Sequence, residues 1–200
     1  MNPTEPTPPL ASRRSALLGG LGVGVVTLGL FLATMPALAI AWDEAYTIAR
    51  LDRVRMWLSA FRDVSTVSES WNTRPLFPQQ DHAPRPDFSR VRSRSDLLSR
   101  DILFWSWPFA REEPHGHPPF YAEMALVGDL LAPGWPILPR ARLGTILLHG
   151  ISAGALFAFL IRRRGVWAAL TASTAWSLQP HLFALAHYAT YDAILTSLWL

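Results

Sequence analysis

Three short stretches hold the side chains with chemical potential. They are Asp43-Glu44, Gly116-His117-Pro118-Pro119-Phe120-Tyr121 and Tyr191-Asp192. A carboxylate can take a proton from an attacking hydroxyl, which is general-base work. Each stretch also has an ordinary explanation. Acids at a helix start complement the helix dipole, Gly-His-Pro-Pro makes a rigid turn, and an Asp at a helix start is commonly a cap. What sets these stretches apart is their position relative to the long apolar runs.

Those runs organise the chain. Half of the 200 residues are hydrophobic, with 9 Trp, although the chain carries 17 Pro. No formal charge occurs from Ser15 to Trp42 or from Leu143 to Ile161. Crossing the hydrocarbon core takes about 20 apolar residues. The pattern therefore predicts an all-α, polytopic membrane protein. Residues 1–14 form a disordered cytoplasmic tail, 15–41 the first span, 42–142 a long extracytoplasmic loop and 143–161 the second span. Residues 162–165 make a cytoplasmic turn, and 166–200 hold the third span and the start of a fourth, interrupted at Gln179-Pro180-His181. Ser12-Arg13-Arg14 and the later Ala37-Leu38-Ala39 also resemble a twin-arginine signal with a cleavage site. A signal's apolar core is only about 7–15 residues, so an uncleaved anchor is expected.

Within the loop, Tyr46, Ile48, Ala49, Leu51, Val54, Trp57, Leu58 and Phe61 fall mostly at helical spacing opposite Arg50, Asp52, Arg53, Arg55 and Arg62. This predicts an amphipathic helix in the membrane interface. A second amphipathic piece is predicted over Leu97–Phe109, its aromatics at headgroup depth. A helix is predicted over Tyr121–Leu131. Residues 65–96, rich in Pro, Ser, Arg and Asp, read as a flexible excursion.

Charge sets orientation and excludes some partners. Every basic residue is Arg, and the region 43–142 holds 13 Arg against 13 acids. With no basic face or run in that region, nucleic acid is not an expected partner. Arg13-Arg14 and Arg162-Arg163-Arg164 flank single spans closely, which places both cytoplasmic and the 43–142 loop outside. Asp192 then falls on the same side as Asp43. No Cys is present, so neither a disulfide nor thiolate chemistry contributes.

The order of features is a span, Asp43-Glu44, amphipathic loop helices, His117-Pro118-Pro119-aromatic, a span closed by arginines, then a broken span and Asp192. It resembles the N-terminal part of the GT-C superfamily of membrane glycosyltransferases, in its protein O-mannosyltransferase and aminoarabinose-transferase (family 39/83-like) branch. The resembling stretches are Ala41–Arg50, Gly116–Leu131 and Arg140–Leu200; the Pro-rich segment has no counterpart. The family has many more spans and a C-terminal portion, so these residues are expected to be a partial chain. The resemblance implies inverting transfer of a sugar from a polyprenyl-phosphate donor to a lipid, glycan or protein hydroxyl at the outer face of a bacterial inner membrane. It makes Asp43 the base and Glu44 its neighbour, and puts His117, Tyr121 and Asp192 at the substrate, with loop arginines such as Arg111 helping the phosphate. No metal or other cofactor is implied. The alternatives are a non-catalytic membrane protein with a partner-binding outer loop, and a transporter subunit with a charge at the bilayer midplane.

Overall fold

A computed structural model describes residues 11–41, 43–68, 70–73, 85–107 and 120–199. Among these, all regular structure is helical. Two helices are long and apolar enough to cross a membrane, at Arg13–Ala37 and Ile137–Arg164. The chain divides into two compact units, which are described in turn.

The first unit comprises the chain through Ala37, Ile146–His187 and the residues from Asp192 onward. Helix α1 spans Arg13–Thr34 and continues as a 3-10 turn over Met35–Ala37. Ser12 caps it, its hydroxyl oxygen accepting the Ser15 N–H at 3.1 Å. Arg13 and Arg14 stand in its first turn, with no acid there. Cations at a helix N-terminus oppose the dipole, so helix stability does not explain them.

Against α1 runs helix α6, Ile137–Arg164, whose part from Ile146 onward belongs to this unit. The two are antiparallel and close. A Cβ added at Gly20 would lie 2.6 Å from the Gly154 carbonyl oxygen, and one at Gly24 would lie 2.9 Å from that of Gly150. Small residues permit such backbone approach where lipid supplies no hydrophobic drive for association. Consequently Arg13, Arg14 and Arg162–Arg164 stand at the same end of the pair.

Gly165 follows α6 with φ +85, a conformation that favours glycine. It leads into α7, Val166–Leu178. The break expected at Gln179-Pro180-His181 is a helix start: Gln179 Oε1 accepts the Leu182 N–H at 2.7 Å, and Pro180 opens α8, Pro180–Ala186. Pro lacks the N–H that a first helical residue does not need. The run read as a third span is therefore two short helices, and the following helix α9 covers only Tyr191–Leu198. Phe31, Met35, Ile146 and Ala186 form the core. Several polar groups inside this apolar unit meet one another. The Thr34 hydroxyl and His187 Nε2 are 2.7 Å apart, His149 Nδ1 and Ser197 Oγ 3.2 Å, and the His149 and Trp176 rings are stacked with centroids 5.6 Å apart.

The second unit comprises Leu38–Thr145 and Tyr188–Tyr191. Its helices are α2 (Glu44–Arg62), α3 (Ser70–Thr73), α4 (Arg100–Ser106) and α5 (Phe120–Leu131), together with the first turns of α6. The α2 and α5 expectations match within a residue or two. The polar face expected on α2 does not. Arg50 and Arg53 are 9% and 4% exposed. Arg50 lies over the Tyr121 ring at 5.2 Å, and Arg53 over the Trp105 ring at 4.7 Å while donating to the Trp105 carbonyl at 3.3 Å. A weakly hydrated, planar guanidinium can be covered in this way where an ammonium cannot.

Trp105, expected at headgroup depth, is instead 3% exposed and is buried with Met56, Phe88, Val91, Leu97 and Ile102. Trp57, half-buried, packs on that cluster and donates from Nε1 to the Leu97 carbonyl at 2.9 Å. Trp105 thus belongs to a small core, with Trp57 packed against it. Part of the segment read as flexible is ordered by aspartates closing turns. Asp63, Asp87 and Asp96 each accept from a serine hydroxyl and from a backbone N–H nearby. For Asp63 and Asp87 the serine hydroxyl bond is the leading cause that holds the carboxyl below its ordinary pKa, and for Asp96 it is the Arg92 N–H.

Candidate functional site

The first span was expected to run to Ala41, but its helix ends at Ala37. Pro36 cannot supply an N–H to continue it. The non-helical residues that follow have a structural use. Leu38 and Ala39 turn their carbonyls to Arg142, which donates from Nη1 at 3.0 Å and from Nη2 at 2.7 Å. Arg142 was expected ahead of the second span; it lies inside α6 and is 1% exposed.

Its charge is met by Glu44, which is fully buried. Arg142 donates from Nε to Oε1 and from Nη2 to Oε2, both at 2.7 Å, the paired geometry in which arginine binds carboxylate best. Two backbone donors complete the carboxylate: the Ala41 N–H reaches Oε2 at 2.9 Å and the Ala189 N–H reaches Oε1 at 3.0 Å. The Tyr188 ring covers the guanidinium at 5.2 Å. One residue pair thereby ties together the segment before α2, the start of α2, α6 and residues 188–189. The Thr47 hydroxyl adds a 2.6 Å bond to the Ala189 carbonyl.

This clamp fixes where Asp43 stands. Asp43 is the residue before α2; its backbone carbonyl accepts from the Tyr46 and Thr47 N–H groups, so it starts the helix with main-chain atoms. Its carboxylate makes no capping bond and the residue is exposed. Two adjacent acids therefore have opposite environments. Glu44 has its acceptor sites filled and its charge neutralised, while Asp43 faces outward next to the positive end of α2, where an anion is stabilised.

A second charge network braces the same unit. Asp129 on α5 meets Arg140 Nε at 2.9 Å and Arg55 Nε at 3.2 Å, and Arg140 Nη1 donates to the Pro133 carbonyl at 2.9 Å. Arg140 thus also lies within α6 as a structural cation rather than ahead of a span. Beside it, α5 and α6 touch backbone to backbone. A Cβ on Gly144 would strike the Met124 carbonyl, and one on Gly128 the Arg140 carbonyl.

The remaining expected site residues are distributed as follows. Tyr121 is buried under Arg50, so its ring is occupied by an internal cation. Asp192 is exposed in the first turn of α9 and belongs to the first unit. His117 and Arg111 lie outside the described residues. No group of three or more metal-ligating His, Asp or Glu side chains occurs among the described residues. Sequence reasoning missed Arg142, Arg55, Arg140 and Asp129. Arg142 and Arg55 find their partners far away in sequence, and no helical spacing joins Arg140 to Asp129.

No family model, curated protein or solved structure matches the chain.

Proposed function

We propose that the chain is a membrane glycosyltransferase segment in which Asp43 is the general base. On this reading α1 and α6 cross the membrane with their arginine-bearing ends in the cytoplasm, and the second unit lies on the extracytoplasmic side of a bacterial inner membrane. A polyprenyl-phosphate sugar is the donor, its lipid in the bilayer and its phosphate at the outer interface. The acceptor hydroxyl attacks the anomeric carbon from the face opposite the phosphate. The bond from carbon to the phosphate oxygen breaks with inversion, the hydroxyl proton passes to Asp43, and polyprenyl phosphate leaves as the anion. The leaving group needs cationic stabilisation more than a proton, the role assigned to His117 and the loop arginines.

The observation that carries the reading is the contrast between neighbours: a carboxylate free to accept a proton, held by an adjacent one that is fully engaged. Glu44 is accordingly a positioning residue. It acts through the clamp that sets the start of α2 and not through the acceptor. Support also comes from the antiparallel α1–α6 pair, which puts both arginine groups at one end as the orientation requires.

The test is donor consumption. Membranes containing the chain, in the protein context in which it occurs, are supplied with polyprenyl-phosphate sugars, and the lipid fraction is followed by mass spectrometry. The reading expects conversion of at least one of them to free polyprenyl phosphate together with a glycosylated acceptor. Equal donor recovery with and without the protein would overturn it.

A further inference from the structure

Among the described residues of the first unit, five arginines stand against a single acid. Arg13 and Arg14 open α1, and Arg162, Arg163 and Arg164 close α6, all at one end of an antiparallel pair. Among the described residues of this unit the one acid is Asp192, in the first turn of α9. Arg162–Arg164 line a basin of about 590 Å³ with Ala11, Ala158 and Phe159. Arg163 rests over the Phe159 ring at 4.8 Å.

The basin does not end there. Ala158 also lines a groove of about 440 Å³ that runs along α1 and α6 between Leu17, Leu21, Val25, Leu147 and Ile151. Its floor is the glycine contact of the two helices. Its walls are exposed: Leu21 and Ile151 are 66% and 67% accessible. An apolar channel that shares a residue with a cationic basin matches a molecule with an acyl chain joined to an anionic head.

We propose that this groove and basin bind one anionic diacyl phospholipid of the cytoplasmic leaflet, with its phosphate among Arg162–Arg164 and one acyl chain along Gly20, Gly24, Gly150 and Gly154. Basic pockets at the cytoplasmic ends of membrane helices take such headgroups. The inference rests on α1 and α6 being membrane spans and is independent of sugar transfer. Accessibility labelling, described below, tests the span reading separately.

The protein is purified in mild detergent with dioleoyl phosphatidylglycerol or dioleoyl phosphatidylcholine, and retained lipid is counted by native mass spectrometry. Free inorganic phosphate serves as the headgroup control. We expect phosphatidylglycerol to be retained, phosphatidylcholine to be lost, and phosphate not to compete at millimolar concentration. Arginine near an anionic surface is worth about 1 kcal/mol, so R162Q/R163Q/R164Q should weaken retention on the order of 100-fold. These side chains hold no described fold contact except the Arg163–Phe159 stacking, so the helical circular-dichroism spectrum should be kept. Ala155→Trp fills the exposed groove and should also release the lipid without removing charge. Three results would overturn the proposal: equal retention of both lipids, unchanged retention in the triple variant, or a lipid-free dimer that Ala155→Trp dissociates.

Discussion

Replacing Glu44 by Ala removes one carboxylate and strands four donors. Arg142 keeps its bonds to Leu38 and Ala39 but loses its counter-charge at 1% exposure. The Ala41 and Ala189 N–H groups lose their acceptor. Breaking a buried ion pair from one side costs about 3–5 kcal/mol, and each stranded N–H adds about 1–3 kcal/mol. These costs overlap, because water entering the vacated site would serve several donors, so about 4–6 kcal/mol is expected rather than the sum. A domain's whole stability is about 5–15 kcal/mol, so the second unit should be barely folded. Glu44→Gln keeps the size and an acceptor oxygen but not the charge, and should fall between parent and Ala. The decisive comparison is Glu44→Leu with Arg142→Met. Removing both charges leaves no buried unpaired ion, so the double variant should recover the part of the loss due to the unpaired charge, while the Ala41 and Ala189 N–H groups and the Leu38 and Ala39 carbonyls still lack their partners. Equilibrium unfolding in detergent micelles, read by tryptophan fluorescence from Trp57, Trp71 and Trp105, measures this. A cost below about 1 kcal/mol for Glu44→Ala, or a double variant no better than either single one, would refute the clamp.

Other consequences follow from single features. Gly144→Ala drives a methyl group into the Met124 backbone, which cannot swing aside, and should cost about 1–3 kcal/mol in the same assay, whereas Gly22→Ala, with open space around it, should cost little. Asp63, Asp87 and Asp96 have carboxyls held below the ordinary value of 3.8. Their turn bonds are therefore fully present above that pH and are lost as it falls through the lower folded values, so the tryptophan signal should be flat from pH 8 to 5 and change only in strong acid. The absence of Cys permits single-cysteine labelling: Ser95→Cys should react with an impermeant maleimide from outside intact cells and Val166→Cys only after lysis, and the opposite result would invert the topology.

Helix existence was legible in the sequence because periodicity and apolar run length record it directly. α2 and α5 came within two residues of expectation, and the break at Gln179-Pro180 was visible because Pro and a side-chain cap are local signals. The fate of charge was not legible. Arg50, Arg53, Arg140 and Arg142 look like a solvated face or span flanks in a window of residues. Their burial depends on rings and carboxylates brought up by the fold: Tyr121, Trp105, Asp129 and Glu44. Trp105 misled for the same reason, since a tryptophan reads alike whether it anchors a headgroup or fills a small core. The adjacency of Asp43 and Glu44 was plain, but their opposite environments required Arg142, 98 residues away from Glu44.

The most direct measurement compares sugar transfer by the parent and by Asp43→Asn at equal folded amounts, using a polyprenyl-phosphate donor in reconstituted membranes. Asn keeps the shape, and the Asp43 carboxylate makes no capping bond, so expression and unfolding should match the parent. General-base contributions are typically about 10²–10⁴-fold, and the rate of transfer should fall by that much with donor affinity unchanged. Transfer at the parent rate by Asp43→Asn would make Asp43 a helix-end charge and contradict the account at its centre.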